Sequence, residues 1–162
     1  MGEVGVWAAP YSSYRTEVPE SWLDYNGHMH DASYLVALSD ANEELFEALG
    51  LSVDYRKTTG ASFYTVEYHI RYLAECSLGD VLTATTTLVN ADAKRMHFYT
   101  ELATQTAGTV ATGESLYLHV DPAAGGVRAM ADETHGRVQE LLAAHADLPR
   151  PAHLGKGVGG SR

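Results

Sequence analysis

The densest group of polar side chains in the sequence lies in the stretch DYNGHMHD, which begins at Asp24. Within a few residues it offers a carboxylate, an amide and an imidazole, from Asp24, Asn26 and His28. Attack on a reactive carbonyl needs a base or a nucleophile, together with hydrogen-bond donors for the oxyanion that forms. We therefore take Asp24 as a candidate base or nucleophile, and Asn26 and His28 as candidates to orient water or the carbonyl.

The residues after this stretch predict a long amphipathic helix from about His30 to Leu49, with Gly50 as its stop. Acidic residues occupy the opposite face of this predicted helix. The apolar stripe consists of Ala32, Leu35, Leu38, Ala41, Leu45, Phe46 and Leu49.

The polar stretch therefore coincides with a helix start, which allows two interpretations. Free backbone N–H groups at Gly27, His28 and Met29 could donate to a carbonyl or a phosphate, and Gly27 would allow close approach. Alternatively, Asp24 and Asn26 could simply cap the helix.

The rest of the chain is typical of strands joined by short turns, so we expect an antiparallel meander. Further strands are expected at 11–18, 81–91, 95–106 and 109–120, and a second helix at 132–146 with Asp132 as its N-cap. This order predicts an α+β fold in which the sheet wraps around the long helix. We expect one domain over 11–148, with irregular segments at 1–10 and 149–162.

Glu67 is a second candidate carboxylate, in the predicted strand 62–73. Simple alternation puts it on one face with Phe63, Thr65, His69 and Arg71, opposite the face of Tyr64, Val66, Tyr68, Ile70 and Tyr72. Glu67 could act as a base or bind a cationic group. It could equally be part of a ladder of charges that faces solvent or another subunit.

Composition excludes several classes of function. A net charge of −10 argues against a nucleic-acid surface, and no apolar run is long enough to cross a membrane. The N-terminal stretch lacks the pattern of a secretory signal and Cys76 has no disulfide partner, so we expect a cytoplasmic protein. We expect no cofactor. We also expect no metal site, because the side chains of His28 and His30 diverge where the helix begins.

Four segments carry a resemblance to a known family: VPESWLDYNGHMHDASYL, YTVEYHIRYLAECSLGDVL, KRMHFYTEL and ATGESLYLHVD. In these the chain resembles hotdog-fold acyl-CoA thioesterases of the 4-hydroxybenzoyl-CoA thioesterase type. Within that family it is most similar to the betainyl-CoA thioesterases linked to carnitine breakdown. It departs from the expected pattern at His30-Asp31, where a relative would carry Asn or another small polar residue.

The resemblance implies a hotdog fold, hydrolysis of an acyl-CoA and an active site between subunits of a homodimer or a dimer of dimers. It favours Asp24 as the catalytic base or nucleophile, with a helix N-terminal oxyanion hole, and leaves the choice between nucleophilic and general-base attack open. A trimethylammonium acyl group would need aromatic faces, for which Trp22, Tyr25, Tyr34, Tyr64 and Tyr72 are candidates, although core packing could also explain them.

The phosphates of CoA would require basic side chains, and the candidates are Arg71, Lys94, Arg95 and Arg128. Two other functions are consistent with the same pattern. One is a hotdog-fold enoyl-CoA hydratase, although the Pro expected after Asn26 is missing. The other is a non-catalytic module that binds an acyl-CoA or a quaternary ammonium compound.

Overall fold

The computed structural model describes residues 6–159, in which one antiparallel sheet packs against a long helix. The strands pair in the order β1-β3-β4-β5-β2, and the short β6 pairs with β5. The strands are β1 Arg15–Glu17, β2 Ser62–Tyr72, β3 Val81–Ala91, β4 Arg95–Thr104, β5 Gly108–Asp121 and β6 Gly126–Val127. The helices are α1 Asp31–Ala48, α2 Val53–Thr59 and α3 Asp132–Ala144.

Helix α1 is the predicted long helix, and it packs across β3, β4 and β5. The predicted stripe is confirmed at Leu38, Ala41, Leu45 and Phe46, which are buried. It is wrong at Ala32, which is exposed, and at Leu35, which is 40% exposed. The buried face is instead extended toward the helix start by Ser33, Tyr34 and Ala37, and also includes Asn42.

Asn42 ties α1 to the sheet through a buried polar network. Its amide donates to the hydroxyl of Tyr117 at 3.1 Å and to that of Ser115 at 3.4 Å. The Thr100 hydroxyl donates to the Asn42 side-chain oxygen at 2.7 Å. Each buried polar group of this network has a partner, as stability requires, so the helix is fixed in one register on the sheet.

A β-bulge in β2 overturns the predicted division of that strand into two faces. Thr65 pairs with Tyr117 while Glu67 pairs with Leu116, so Val66 is an extra residue. Phe63 therefore packs in the core before the bulge, and Tyr68 packs in the core after it. Thr65 does not share a face with Glu67, His69 and Arg71, and Tyr64 does not share one with Tyr68.

Other corrections concern the ends of elements. β1 is shorter than the predicted strand 11–18, with only a bridge from Tyr11 to Thr86 before it. α2 and β6 were not predicted. The N-cap of α3 is Ala131, and Asp132 is the first helical residue.

The terminal segments are irregular where they are described, and residues 1–5 and 160–162 of the predicted ranges lie outside the described part. The segment after α3 packs on the outer face of the sheet: Leu154 is buried, and the Gly155 N–H donates to Glu114 Oε2 at 2.8 Å. Between residues 6 and 159, no helix has the length and hydropathy needed to cross a membrane.

Candidate active site

Asp24 begins a tight turn that ends at His28. The Asp24 N–H donates to the His28 carbonyl at 2.8 Å, and the Gly27 N–H donates to the Asp24 carbonyl at 3.0 Å. Gly27 has φ +78°, a conformation that residues with a Cβ rarely adopt. Asp24 Oδ1 accepts the N–H of Asn26 at 2.8 Å and that of His28 at 3.4 Å. One carboxylate oxygen thus holds the turn.

The backbone N–H groups expected to be free at this turn are all used within the protein. Gly27 and His28 donate to Asp24, as above, and the Met29 N–H donates to the Cys76 carbonyl at 2.7 Å. The prediction of free donors at Gly27, His28 and Met29 is therefore wrong. The physical reason is that helix α1 begins only at Asp31, so these three residues belong to a hydrogen-bonded turn and not to the first helical turn.

His30 is the N-cap of α1, and its Nδ1 accepts the Ala32 N–H at 3.1 Å. Asp31 Oδ1 accepts the same N–H at 2.8 Å. Asp24 and Asn26 are therefore not the caps of α1. The structural role of Asp24 is to close the turn that precedes this helix.

The loop that follows β2 forms the opposite wall. His28 makes a β-bridge to Ser77, and the Tyr34 hydroxyl donates to the Ala74 carbonyl at 3.1 Å. Together the turn, the start of α1 and this loop enclose a cleft of about 380 Å³, which we call the acidic cleft. It is lined by Asp24, Asn26, His28, Met29, Asp31, Tyr34, Tyr72, Leu73, Ala74 and Glu75.

The electrostatic character of this cleft comes from Asp24, Asp31 and Glu75, and its described lining contains neither Lys nor Arg. His28 Nε2 lies 3.5 Å from Glu75 Oε2 within this cleft. Burial, followed by the negative charge of Asp31, raises the pKa of Tyr72, whose hydroxyl donates to the Asp31 carbonyl at 3.2 Å. The cleft is thus suited to a cationic group.

Two neutral groups complete this region. Burial raises the pKa of Tyr34 well above its ordinary value, so its hydroxyl stays protonated. The Tyr34 and Tyr72 rings pack edge to face, with their centroids 5.3 Å apart. Burial also raises the pKa of the fully buried Cys76 thiol, which argues against a nucleophilic role. Among residues 6–159, no cluster of three or more His, Cys, Asp or Glu is placed to hold a metal.

Several predicted site residues do not line the acidic cleft. Trp22 packs against the core, Tyr25 is 97% exposed, and Tyr64 is on the outer side of β2. Arg71 lines a different cleft on the outer face of the sheet, next to the acidic cleft. Asp31 and Glu75 also line the acidic cleft and were not among the predicted site residues; the fold brings them to the same cleft as Asp24.

Glu67 is also separated from Asp24. It lines an outer cavity of about 430 Å³ with His69, His97 and Glu114, and not the acidic cleft. His97 Nε2 lies 2.8 Å from Glu114 Oε1 in this cavity. Within one chain the two candidate carboxylates therefore belong to different sites.

Comparison with known proteins identifies the family. The model of the thioesterase-like superfamily matches residues 18–151. The chain belongs to this superfamily. A curated member, the betainyl-CoA thioesterase of Pseudomonas aeruginosa, is 34% identical over 149 residues, which cover 91% of this chain and 94% of that protein. The predicted family is confirmed.

Another relative in the thioesterase-like superfamily is the L-carnitine dehydrogenase/betainyl-CoA thioesterase of Rhizobium meliloti, which is 37% identical over 156 residues. The match covers 96% of this chain but 31% of that protein, so the chain spans about a third of the length of such relatives.

Solved structures agree with the hotdog prediction. A putative thioesterase from Pseudomonas putida KT2440 superimposes with a TM-score of 0.82 at 32% identity, covering 96% of this chain and 99% of that one. A Staphylococcus aureus protein in complex with CoA gives 0.86 at 26% identity, covering 93% and 96%. The α+β hotdog fold of this superfamily is confirmed.

Proposed function

We propose that this chain hydrolyses acyl-CoA thioesters with a short, positively charged acyl group, and that betainyl-CoA is its substrate in carnitine degradation. The observation that carries the charge preference is the acidic cleft, where Asp24, Asp31 and Glu75 meet without a Lys or Arg in the described lining. The names of the relatives from Pseudomonas and Rhizobium support the choice of betaine. A cytoplasmic location and a single domain over 11–148 remain part of this proposal.

Asp24 is the proposed catalytic carboxylate. Its Oδ1 accepts two backbone N–H groups, which fixes the carboxylate. Oδ2 is then the oxygen available to react with water or with the thioester in the acidic cleft. As a general base, Asp24 takes a proton from water while the water oxygen bonds to the thioester carbon. Direct attack by the carboxylate would give a mixed anhydride that water then hydrolyses.

The proposed oxyanion donors are side chains, because the turn's backbone N–H groups are occupied. The Asn26 amide and the His28 ring line the acidic cleft beside Asp24. When the tetrahedral intermediate collapses, the C–S bond breaks, the CoA sulfur takes up a proton and the acyl group leaves as a carboxylate. The ring of Tyr72 could contact the trimethylammonium group, at about 0.5–2 kcal/mol for such a contact.

A homodimer, or a dimer of dimers, is also proposed. Strand β2 is an edge of the sheet, pairs only with β5 among the described strands, and runs for 11 residues. Tyr64, Val66 and Tyr72 on this edge are each 51% exposed. A long edge strand with exposed apolar side chains is normally covered, and a second copy would cover it next to the acidic cleft.

The test compares betainyl-CoA with tert-butylacetyl-CoA, which has the same shape without the charge, and with a panel of neutral short acyl-CoAs. We expect kcat/KM to favour betainyl-CoA by about 10-fold or more, through several weak cationic contacts. Equal rates would refute the charge preference but not the thioesterase activity.

Two outcomes would refute hydrolysis itself. One is water addition to crotonyl-CoA without release of free CoA, which would indicate a hydratase. The other is tight binding of betainyl-CoA without turnover, which would indicate a binding module. Free thiol release reports hydrolysis and loss of crotonyl-CoA absorbance reports hydration, so the two measurements on one set of samples distinguish a thioesterase from a hydratase, and binding without either signal indicates a binding module.

A further inference from the structure

The segment after α3 closes a second cleft on the outer face of β2, which we call the outer cleft. It has a volume of about 530 Å³, and one wall is formed by the part of β2 from His69 to Leu73. The opposite wall is formed by His153 and by residues 157–159. This segment is anchored by the buried Leu154 and by the bond from Gly155 to Glu114, so the outer cleft is a built feature of the fold.

The outer cleft differs from the acidic cleft in charge. Three side chains that can be cationic line it, His69, Arg71 and His153, and its described lining contains neither Asp nor Glu. In a chain with a net charge of −10, such a site is a local exception. A cleft with this lining attracts anions.

Two buried nitrogen atoms in this lining have no hydrogen-bond partner in the described part of the chain. They are Arg71 Nε and His153 Nδ1. Most buried polar atoms in folded proteins are hydrogen-bonded, so two unpaired ones in the same cleft point to an acceptor supplied by a ligand. An arginine and a ring N–H are both suited to donate to phosphate oxygens.

Of the other basic candidates, Lys94 does not line the outer cleft, and the two arginines are already paired. Arg95 lies 2.6 Å from Asp92 Oδ2, and Arg128 lies 3.5 Å from Asp121 Oδ2. No carboxylate lies within 4.0 Å of Arg71 in residues 6–159, so its charge is available to a ligand. Acids do occur in the adjoining outer cavity, but both oxygens of Glu114 are occupied, by His97 and Gly155. Glu67 and Lys156, which carry opposite charges, also line that cavity.

The outer cleft adjoins the acidic cleft, because Tyr72 and Leu73 line both. A strand rises about 3.3 Å per residue, so His69 lies roughly 10 Å from Tyr72 along β2. We propose that the outer cleft binds the phosphate groups of the CoA part of the substrate, with Arg71 and His153 as donors. The segment after α3 is then part of the substrate site. This inference rests on the proposed CoA thioester substrate.

The test measures binding by calorimetry, so that it does not depend on turnover. Wild type, Arg71→Gln and His153→Gln are titrated with CoA, with dephospho-CoA and with pantetheine, which carries no phosphate. Each variant should weaken CoA binding roughly 10- to 100-fold, the range for one lost hydrogen bond to a charged group. Pantetheine binding should stay within about 2-fold of wild type, since it makes no phosphate contact.

Arg15→Gln is the matched control, because Arg15 is an exposed arginine on β1, at the opposite edge of the sheet from β2 and outside the outer cleft, and it should leave CoA binding unchanged. Melting curves verify that each variant folds. Unchanged CoA binding in both cleft variants, or an equal loss for pantetheine, would overturn the proposal. A fall in molecular mass by light scattering together with lost CoA binding would also overturn it, since the cleft would then be an interface between copies.

The two proposals can fail separately. If the protein binds CoA with the predicted dependence on Arg71 and His153 but cleaves no thioester, hydrolysis is refuted and the outer cleft stands. If it cleaves a pantetheine thioester with the same KM as the CoA thioester, and the cleft variants change neither value, the outer cleft is refuted and hydrolysis stands.

Discussion

Replacement of Asp24 by Asn separates its proposed chemical role from its structural role. Asp24 Oδ1 accepts the N–H groups of Asn26 and His28, and an Asn side chain offers an oxygen in the same position. The turn should therefore survive, while the second oxygen becomes an NH₂ group that cannot take a proton. Only the base is removed.

The expected magnitudes follow from these contacts. Loss of a positioned general base reduces the rate by about 10²- to 10⁴-fold, which is about 2.7–5.4 kcal/mol of transition-state stabilisation. The free energy of unfolding of Asp24→Asn should change by less than about 1 kcal/mol, because both N–H groups keep an acceptor. Asp24→Ala should lose the same activity and in addition about 1 kcal/mol of stability, since the turn then loses its side-chain acceptor.

The assay is the release of free CoA thiol, measured for kcat and KM, with urea unfolding of the same samples. Asp54→Asn is a matched control, because Asp54 is an exposed carboxylate on α2 whose partner is Lys57 at 3.6 Å. If Asp24→Asn keeps more than about a tenth of wild-type kcat/KM while Glu67→Gln loses 10²-fold or more, the reasoning is refuted and Glu67 is the decisive acid.

Three further predictions concern the cleft and the core. Asp31→Asn and Glu75→Gln should each reduce the preference for betainyl-CoA over tert-butylacetyl-CoA by about 2- to 5-fold in kcat/KM, as expected for partly solvated charges; an unchanged ratio would contradict the electrostatic argument. Asn42→Leu should lower the free energy of unfolding in urea by about 1–3 kcal/mol, because buried hydroxyls lose their partner. Burial lowers the pKa of His145 below its ordinary 6.5, so the unfolded chain binds a proton first and stability should fall as pH drops below 6.5. Urea midpoints against pH should show a flatter slope in His145→Gln.

The elements were predictable where local pattern decides them. The bounds of β3 are as predicted, and α1 differs from its predicted range by one residue at each end. Both segments have a continuous period and clear stop residues, so neighbours in sequence carry the whole signal. The bulge at Val66 has no such signal, because the alternation of side-chain types continues through it. Register with β5 reveals it, and register is a long-range property.

The site was predictable only on one side. Asp24, Asn26 and His28 are neighbours in sequence, and the turn brings them to one edge of the acidic cleft. The opposite side comes from residues 72–75, whose position depends on the bridge from His28 to Ser77 and on the bond from Tyr34 to Ala74. Local patterns carry no information on such contacts. The same limit explains why the N–H groups of residues 27–29 were expected to be free.

The bulge in β2 also explains how adjacent residues can serve two clefts of opposite charge. Strict alternation from Phe63, which packs in the core, would turn Glu67, His69 and Arg71 inward against α1. Burial of an unpaired charge there would cost several kcal/mol. The extra residue Val66 reverses the alternation, so Tyr68 and Ile70 enter the core and the charged side chains face outward. Tyr72 then reaches Asp31 in the acidic cleft, while Arg71, one position earlier, lines the outer cleft. A substrate with a cationic acyl group and anionic phosphates would need this separation of charge, and a single inserted residue provides it without placing an ion in the core.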